Sequence, residues 1–92
     1  MTPEGKVVKQ IRDYLDKQGY FTYNLIQVSP SSMPDMCVIN PVNGEHTYLE
    51  IKAPGGRTQP GQLYMHEKLR MLNCKVYVVS DLSRVKEVFN DE

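Results

Sequence analysis

Asn43-Gly44 lies between two apolar runs, residues 36–40 and 46–53, and no other feature of the chain narrows its fold as much. Asn and Gly both tolerate the positive φ that a two-residue hairpin turn demands, so the two runs are expected to fold back on each other as antiparallel strands. With Asn43 and Gly44 as the central turn residues, Val42 pairs with Glu45, Asp35 with Lys52 and Cys37 with Glu50. Side chains alternate along a strand. Asp35, Glu50 and Lys52 therefore share one face, while Met36, Val38, Leu49 and Ile51 share the other. A slip of one residue would separate the two acids, so the argument depends on register.

The flanking segments supply the remaining elements. Thr2, Pro3 and Glu4 form a helix start: a capping hydroxyl, a proline at the first helical position and an acid at the positive end of the dipole. Val7, Val8, Ile11, Tyr14 and Leu15 then recur with helical period until Gly19, predicting a helix over about residues 3–18. Residues 20–28 read as a strand and 29–34 as a loop, with Asp35 opening the second strand. After a Pro- and Gly-rich stretch over 53–61, the spacing predicts a helix over 62–72, a strand over 75–80 and a last helix beginning near Ser80 or Asp81. The order is αβββαβα. An α/β domain with a mixed sheet flanked by helices is expected.

Composition excludes several classes. At 92 residues the chain is expected to be one domain, 1–92, and too small for two cores. Its 40% hydrophobic and 24% charged content is that of a globular protein rather than a disordered tail. No apolar run approaches the roughly 20 residues of a membrane span, and no basic segment precedes an apolar one at the N-terminus, so a cytoplasmic location is expected. Cys37 and Cys74 have neither the number for a disulfide framework nor zinc-site spacing and read as small core residues. Eleven basic and eleven acidic residues give a formal charge of zero, so any nucleic-acid affinity must come from local arrangement.

That arrangement centres on the hairpin. In the expected register Asp35 and Glu50 are diagonal neighbours with Cα atoms about 7 to 8 Å apart, close enough for both carboxylates to reach one cation. Hard oxygen ligands suit Mg²⁺ or Mn²⁺. Lys52, on the same face, can reach a bound water or a scissile phosphate and offset developing charge. The alternative is an exposed charged ladder on a solvent-facing strand.

Further residues bear on the choice. Gln62 falls on a stripe with Met65, Leu69 and Leu72, which turns it inward at the first turn of the second helix. Gly55, Gly56, Arg57 and Thr58 stand just before that helix, where backbone amides and a guanidinium can hold a phosphate; the alternative is a flexible connector with a surface arginine. Glu4 shares a helix face with Val8 and Ile11 and either points toward the metal or serves the helix dipole. His46 and His66 have no ligand partner at a recognisable spacing and read as ordinary residues. Tyr14, Tyr20, Tyr23 and Tyr48 can stack on bases, although periodic elements favour packing for them.

Pro34-Asp35, the block Glu50-Ile51-Lys52-Ala53-Pro54-Gly55-Gly56-Arg57-Thr58 and Gln62 together resemble the VRR-NUC branch of the PD-(D/E)XK, or restriction endonuclease-like, nucleases. The resemblance spans nearly the whole chain and implies that superfamily's αβββαβα core. It implies that Asp35 and Glu50 bind Mg²⁺ or Mn²⁺ with the carbonyl of Ile51 as a further ligand and Glu4 as the helix-one acid. It also implies that Lys52 is the catalytic lysine, Gln62 an active-site support, and Gly56, Arg57 and Thr58 the DNA phosphate contacts. Ser31, Ser32 and Met33 occupy the stretch where the family commonly has a glycine before the proline-aspartate pair.

Short viral members of the family look like dimers that cut branched DNA. The resemblance thus implies a DNA endonuclease acting on four-way or other branched junctions, as a homodimer. A small neutral chain with a site for one strand points the same way, and the outer faces of helix one or of the last helix, with Val85, Val88 and Phe89, are the expected contact. A non-catalytic nucleic-acid-binding module of the same fold and a nuclease acting on RNA are the alternatives.

Overall fold

The computed structural model describes residues 1–26 and 32–89. The order is α1 Pro3–Lys17, β1 Phe21–Asn24, β2 Met36–Ile39, β3 His46–Ile51, α2 Pro60–Met71, β4 Lys75–Val79 and α3 Leu82–Val88, which is the expected αβββαβα. Thr2 caps α1 by accepting from the Gly5 amide at 3.0 Å. At its other end Gly19 takes φ +93°, and the Gly19 and Tyr20 amides return to the carbonyls of Asp16 and Leu15. Only a residue without Cβ enters that left-handed conformation cheaply, so Gly19 ends the helix and turns the chain into β1. Residues 27–31, which carry the predicted end of the first strand and the first half of the following loop, lie outside the described residues.

The four strands form one sheet in the order β1-β2-β3-β4, antiparallel from β1 to β3 and parallel between β3 and β4. The hairpin joining β2 to β3 exists, but its register differs from the expected one by two residues. Met36 pairs with Leu49, Cys37 with Tyr48 and Ile39 with His46. Residues 41–44 form the loop, closed by Asn40 donating its amide to the Glu45 carbonyl at 2.9 Å. A two-residue type I′ turn needs positive φ at both centres, and only Gly44 has it, at 73°. The Asn side chains stabilise the longer loop instead, Asn40 accepting from Val42 and Asn43 from Glu45. Because the shift is even, every side chain keeps its face.

Both sheet faces are packed. Met36, Val38, Leu49, Ile51 and Val79 meet Val7, Ile11 and Leu15 of α1 and Val85 of α3. Fully burying a side chain such as Ile11 or Leu49 stabilises the fold by about 1.5 to 3 kcal/mol. On the opposite face α2 lays Met65 and Leu69 on Val76, with Met33, Tyr48 and Cys74 beside them. Pro60, read from sequence as loop, is the first residue of α2, a position that needs no N–H. Leu72 lies past the end of α2 and is exposed.

The last helix does not present a spare apolar face. Val85 is fully buried, and Phe89 packs on the core with its ring 5.2 Å from that of Tyr20, edge to face. The exposed apolar side chains of the helices lie on α2 and its end, at Leu63, Tyr64, Met71 and Leu72. Among the described residues no helix is long and apolar enough to cross a membrane.

Candidate active site

The register that moves the turn also moves Asp35. Continuing the β2–β3 pairing by one residue sets Asp35 directly opposite Glu50, in a pair without ladder hydrogen bonds, where side chains approach most closely. The two carboxyl groups meet there. Asp35 lies just before β2, half-buried, and its Oδ2 accepts from the Ile51 amide at 2.7 Å. Glu50 is 1% exposed. Burial, then the hydrogen bond and charge of Asp35, raise the Glu50 pKa to about 8, partly opposed by Lys52.

The first two turns of α2 cover these acids. Gln62 donates from Nε2 to Oε2 of Glu50 at 3.1 Å and accepts at Oε1 from Lys52 Nζ and from the Gln59 amide, each at 2.9 Å. Lys52 Nζ stands 3.6 Å from the same Glu50 oxygen. The inward turn of Gln62 and the shared face of Asp35, Glu50 and Lys52 thus follow the sequence expectation.

His66 does not follow it. Only 1% exposed, it meets Oε1 of Glu50 through Nε2 at 3.2 Å. Burial, with Arg70 and Lys52 nearby, lowers its pKa and favours the neutral ring. When Glu50 is ionised, the hydrogen-bond partner assigns the ring hydrogen to Nε2. The available signal was its spacing. His66 lies four residues after Gln62 and next to Met65, on the side of α2 that faces the sheet.

The donor set suits a hard divalent cation. Two facing carboxyl groups carry more negative charge than their burial tolerates, as the raised Glu50 pKa records. The Ile51 carbonyl is a candidate third oxygen: the β2–β3 register, continued by two residues, sets Ile51 opposite Pro34, whose nitrogen has no hydrogen to give. Glu4 is not gathered with them. It is exposed on the first turn of α1 at the positive end of the helix, and among the described residues no three His, Cys, Asp or Glu side chains converge on one point.

The loop before α2 is tied to the site through its backbone. Gly56 returns its amide to the Ala53 carbonyl at 2.8 Å, with Pro54 and Gly55 at the turn's centre and Gly55 at φ +85°. A Cβ at Gly56 would stand 3.3 Å from Lys52 Cβ and 3.0 Å from the Ala53 oxygen, so the loop passes directly against the lysine. Arg57 is exposed and Thr58 half-buried. His46 is exposed, with Nδ1 at 2.9 Å from the Gly44 carbonyl.

Fold and site together place the chain among α/β domains that gather an acid pair and a lysine at one end of a mixed sheet. Residues 5–80 match the VRR-NUC domain, and the chain belongs to the VRR-NUC family. It is similar, at 32% identity over 89 residues and 95% of each chain, to the protein named "Putative nuclease p44" of Acyrthosiphon pisum secondary endosymbiont phage 1. A solved structure described as a VRR-NUC domain matches it with a TM-score of 0.87 at 28% identity, over 99% of this chain and 98% of that one.

Proposed function

We propose that this chain is a metal-dependent endonuclease that hydrolyses DNA phosphodiester bonds, with branched DNA such as four-way junctions as substrate and a homodimer as the working unit. The observation that carries the reading is the buried Glu50 carboxyl facing Asp35, with Lys52 held beside it by Gln62. Such an arrangement leaves two acids and a cation within reach of one phosphate, whereas an exposed charged ladder would need none of this burial.

Asp35, Glu50 and the Ile51 carbonyl would hold Mg²⁺ or Mn²⁺. When bound, the ion supplies a Lewis acid for the phosphoryl oxygen and a water of lowered pKa. Lys52 brings its ammonium to a non-bridging phosphate oxygen and offsets the charge that develops there. Gln62 fixes the lysine's direction. Arg57 and Thr58, at the approach to α2, would hold a neighbouring phosphate, whereas the Gly56 amide is already donated to the Ala53 carbonyl at 2.8 Å and would shape the loop instead. Exposed rings of Phe21 and Tyr23 on the edge strand, 6.1 Å apart, offer faces for unpaired bases.

Cleavage of single-stranded, duplex, flap and four-way DNA, each with Mg²⁺ or Mn²⁺, tests this reading. Faster cutting of the four-way substrate is expected. Binding without cleavage of any of them would make the chain a non-catalytic nucleic-acid module, and preferential cleavage of RNA in competition would move the substrate class.

A further inference from the structure

We propose that His66 is a positioning residue for the metal-binding carboxylate: its Nε2–H holds the Glu50 carboxyl group, through Oε1, in the orientation that meets Asp35. The inference rests on the nuclease reading above and adds to it a residue that acts only through Glu50.

Three observations carry it. His66 is 1% exposed and sits between Met65 and Leu69 in the apolar packing of α2, a place where a leucine would pack without polar atoms. Its Nδ1 is buried and has no hydrogen-bond partner among the described residues. An imidazole is therefore a costly choice for packing alone, because a buried nitrogen goes unpaired. What the imidazole adds is one contact, Nε2 to Oε1 of Glu50 at 3.2 Å.

That contact completes the restraint on Glu50. Gln62 and Lys52 lie on the Oε2 side, at 3.1 and 3.6 Å, and leave rotation of the carboxyl plane open. A donor on Oε1 closes that freedom. Arg70 does not compete for the role, since its guanidinium donates to the Val76 carbonyl at 2.7 Å.

Calorimetric titration of the full chain with MnCl₂, on wild type, His66→Leu and His66→Gln, tests the role. His66→Leu should weaken Mn²⁺ binding roughly 10- to 100-fold, as loss of a ligand's hydrogen-bond partner does. His66→Gln, which keeps a donor toward Glu50, should recover most of that loss. Melting in chelator separates positioning from packing: His66→Leu should melt no lower than wild type, because it removes the unpaired nitrogen. Wild-type affinity in His66→Leu overturns the role, as does a Gln variant no better than the Leu variant. A wild type that binds no Mn²⁺ brings down the metal site itself and this role with it, a failure seen before any variant is compared.

Discussion

Lys52 donates to Gln62 at 2.9 Å and stays 3.6 Å from Glu50, although it lies only two residues beyond the glutamate, just past the end of β3. The amide thus bridges the two members of a buried pair: its Oε1 accepts from the lysine, and its Nε2 donates to the same Glu50 oxygen that the ammonium approaches. It holds the ammonium at hydrogen-bond distance from itself and farther from the glutamate. The same Gln62 oxygen accepts the Gln59 amide, which locks the side chain to the start of α2.

Replacing Gln62 should therefore act on Lys52. In Gln62→Ala the lysine is expected to fall onto Glu50, lowering kcat by about 10- to 100-fold, the usual cost of losing such a support. KM for DNA should change little, because phosphate contacts supply most of the affinity. Steady-state kinetics on a junction substrate check this, and an unchanged kcat would remove Gln62 from the site.

Asp35→Asn and Glu50→Gln should each abolish turnover while leaving the fold and most DNA affinity in place. Each should also weaken Mg²⁺ or Mn²⁺ binding by calorimetry. Wild-type cleavage rates in either variant would falsify the assignment of the two acids.

The Glu50 carboxyl predicts a pH dependence for the metal-free protein. Its folded pKa, about 8, lies above its ordinary value of 4.5, so the folded state binds the proton more tightly than the unfolded state. Stability from this group is full below pH 4.5 and declines as pH rises toward 8. His66, with its pKa lowered, acts in the opposite direction and costs stability as pH falls below its ordinary value of 6.5. Urea melts in chelator should show Glu50→Gln gaining on wild type at pH 8 and losing that advantage at pH 5. The expected gain is on the order of a few kcal/mol at most. A pH-independent difference between the two proteins would contradict the assigned burial.

Two protomers should cut a four-way junction almost together. Mixing active chains with Lys52→Ala chains should give heterodimers that nick one strand only. Sedimentation at micromolar protein, paired with junction cleavage under the same conditions, decides the matter: a monomer that resolves junctions fully would rule the dimer out.

Local chemistry made much of this chain legible. Thr2-Pro3 starts a helix and Gly19 ends one because a capping hydroxyl, a fixed φ and a missing Cβ act within a few residues. Alternation along β2 and β3 put Asp35, Glu50 and Lys52 on one face for an equally local reason, and an even error in register could not undo it. Whether Asn43-Gly44 would close a two-residue or a longer loop was not local: the pairing of whole strands chose, and it brought Asp35 opposite Glu50 rather than diagonal to it. Glu4 and His66 exchanged importance for a similar reason. Periodicity marks which side of a helix is apolar, but only packing against the sheet sets which turn of α2 lies over Glu50. His66, close to Met65 and Leu69 and with no ligand spacing of its own, meets Glu50 because α2 packs on Val76 of β4 and its side chain reaches across to β3, a long-range contact that no stretch of sequence records.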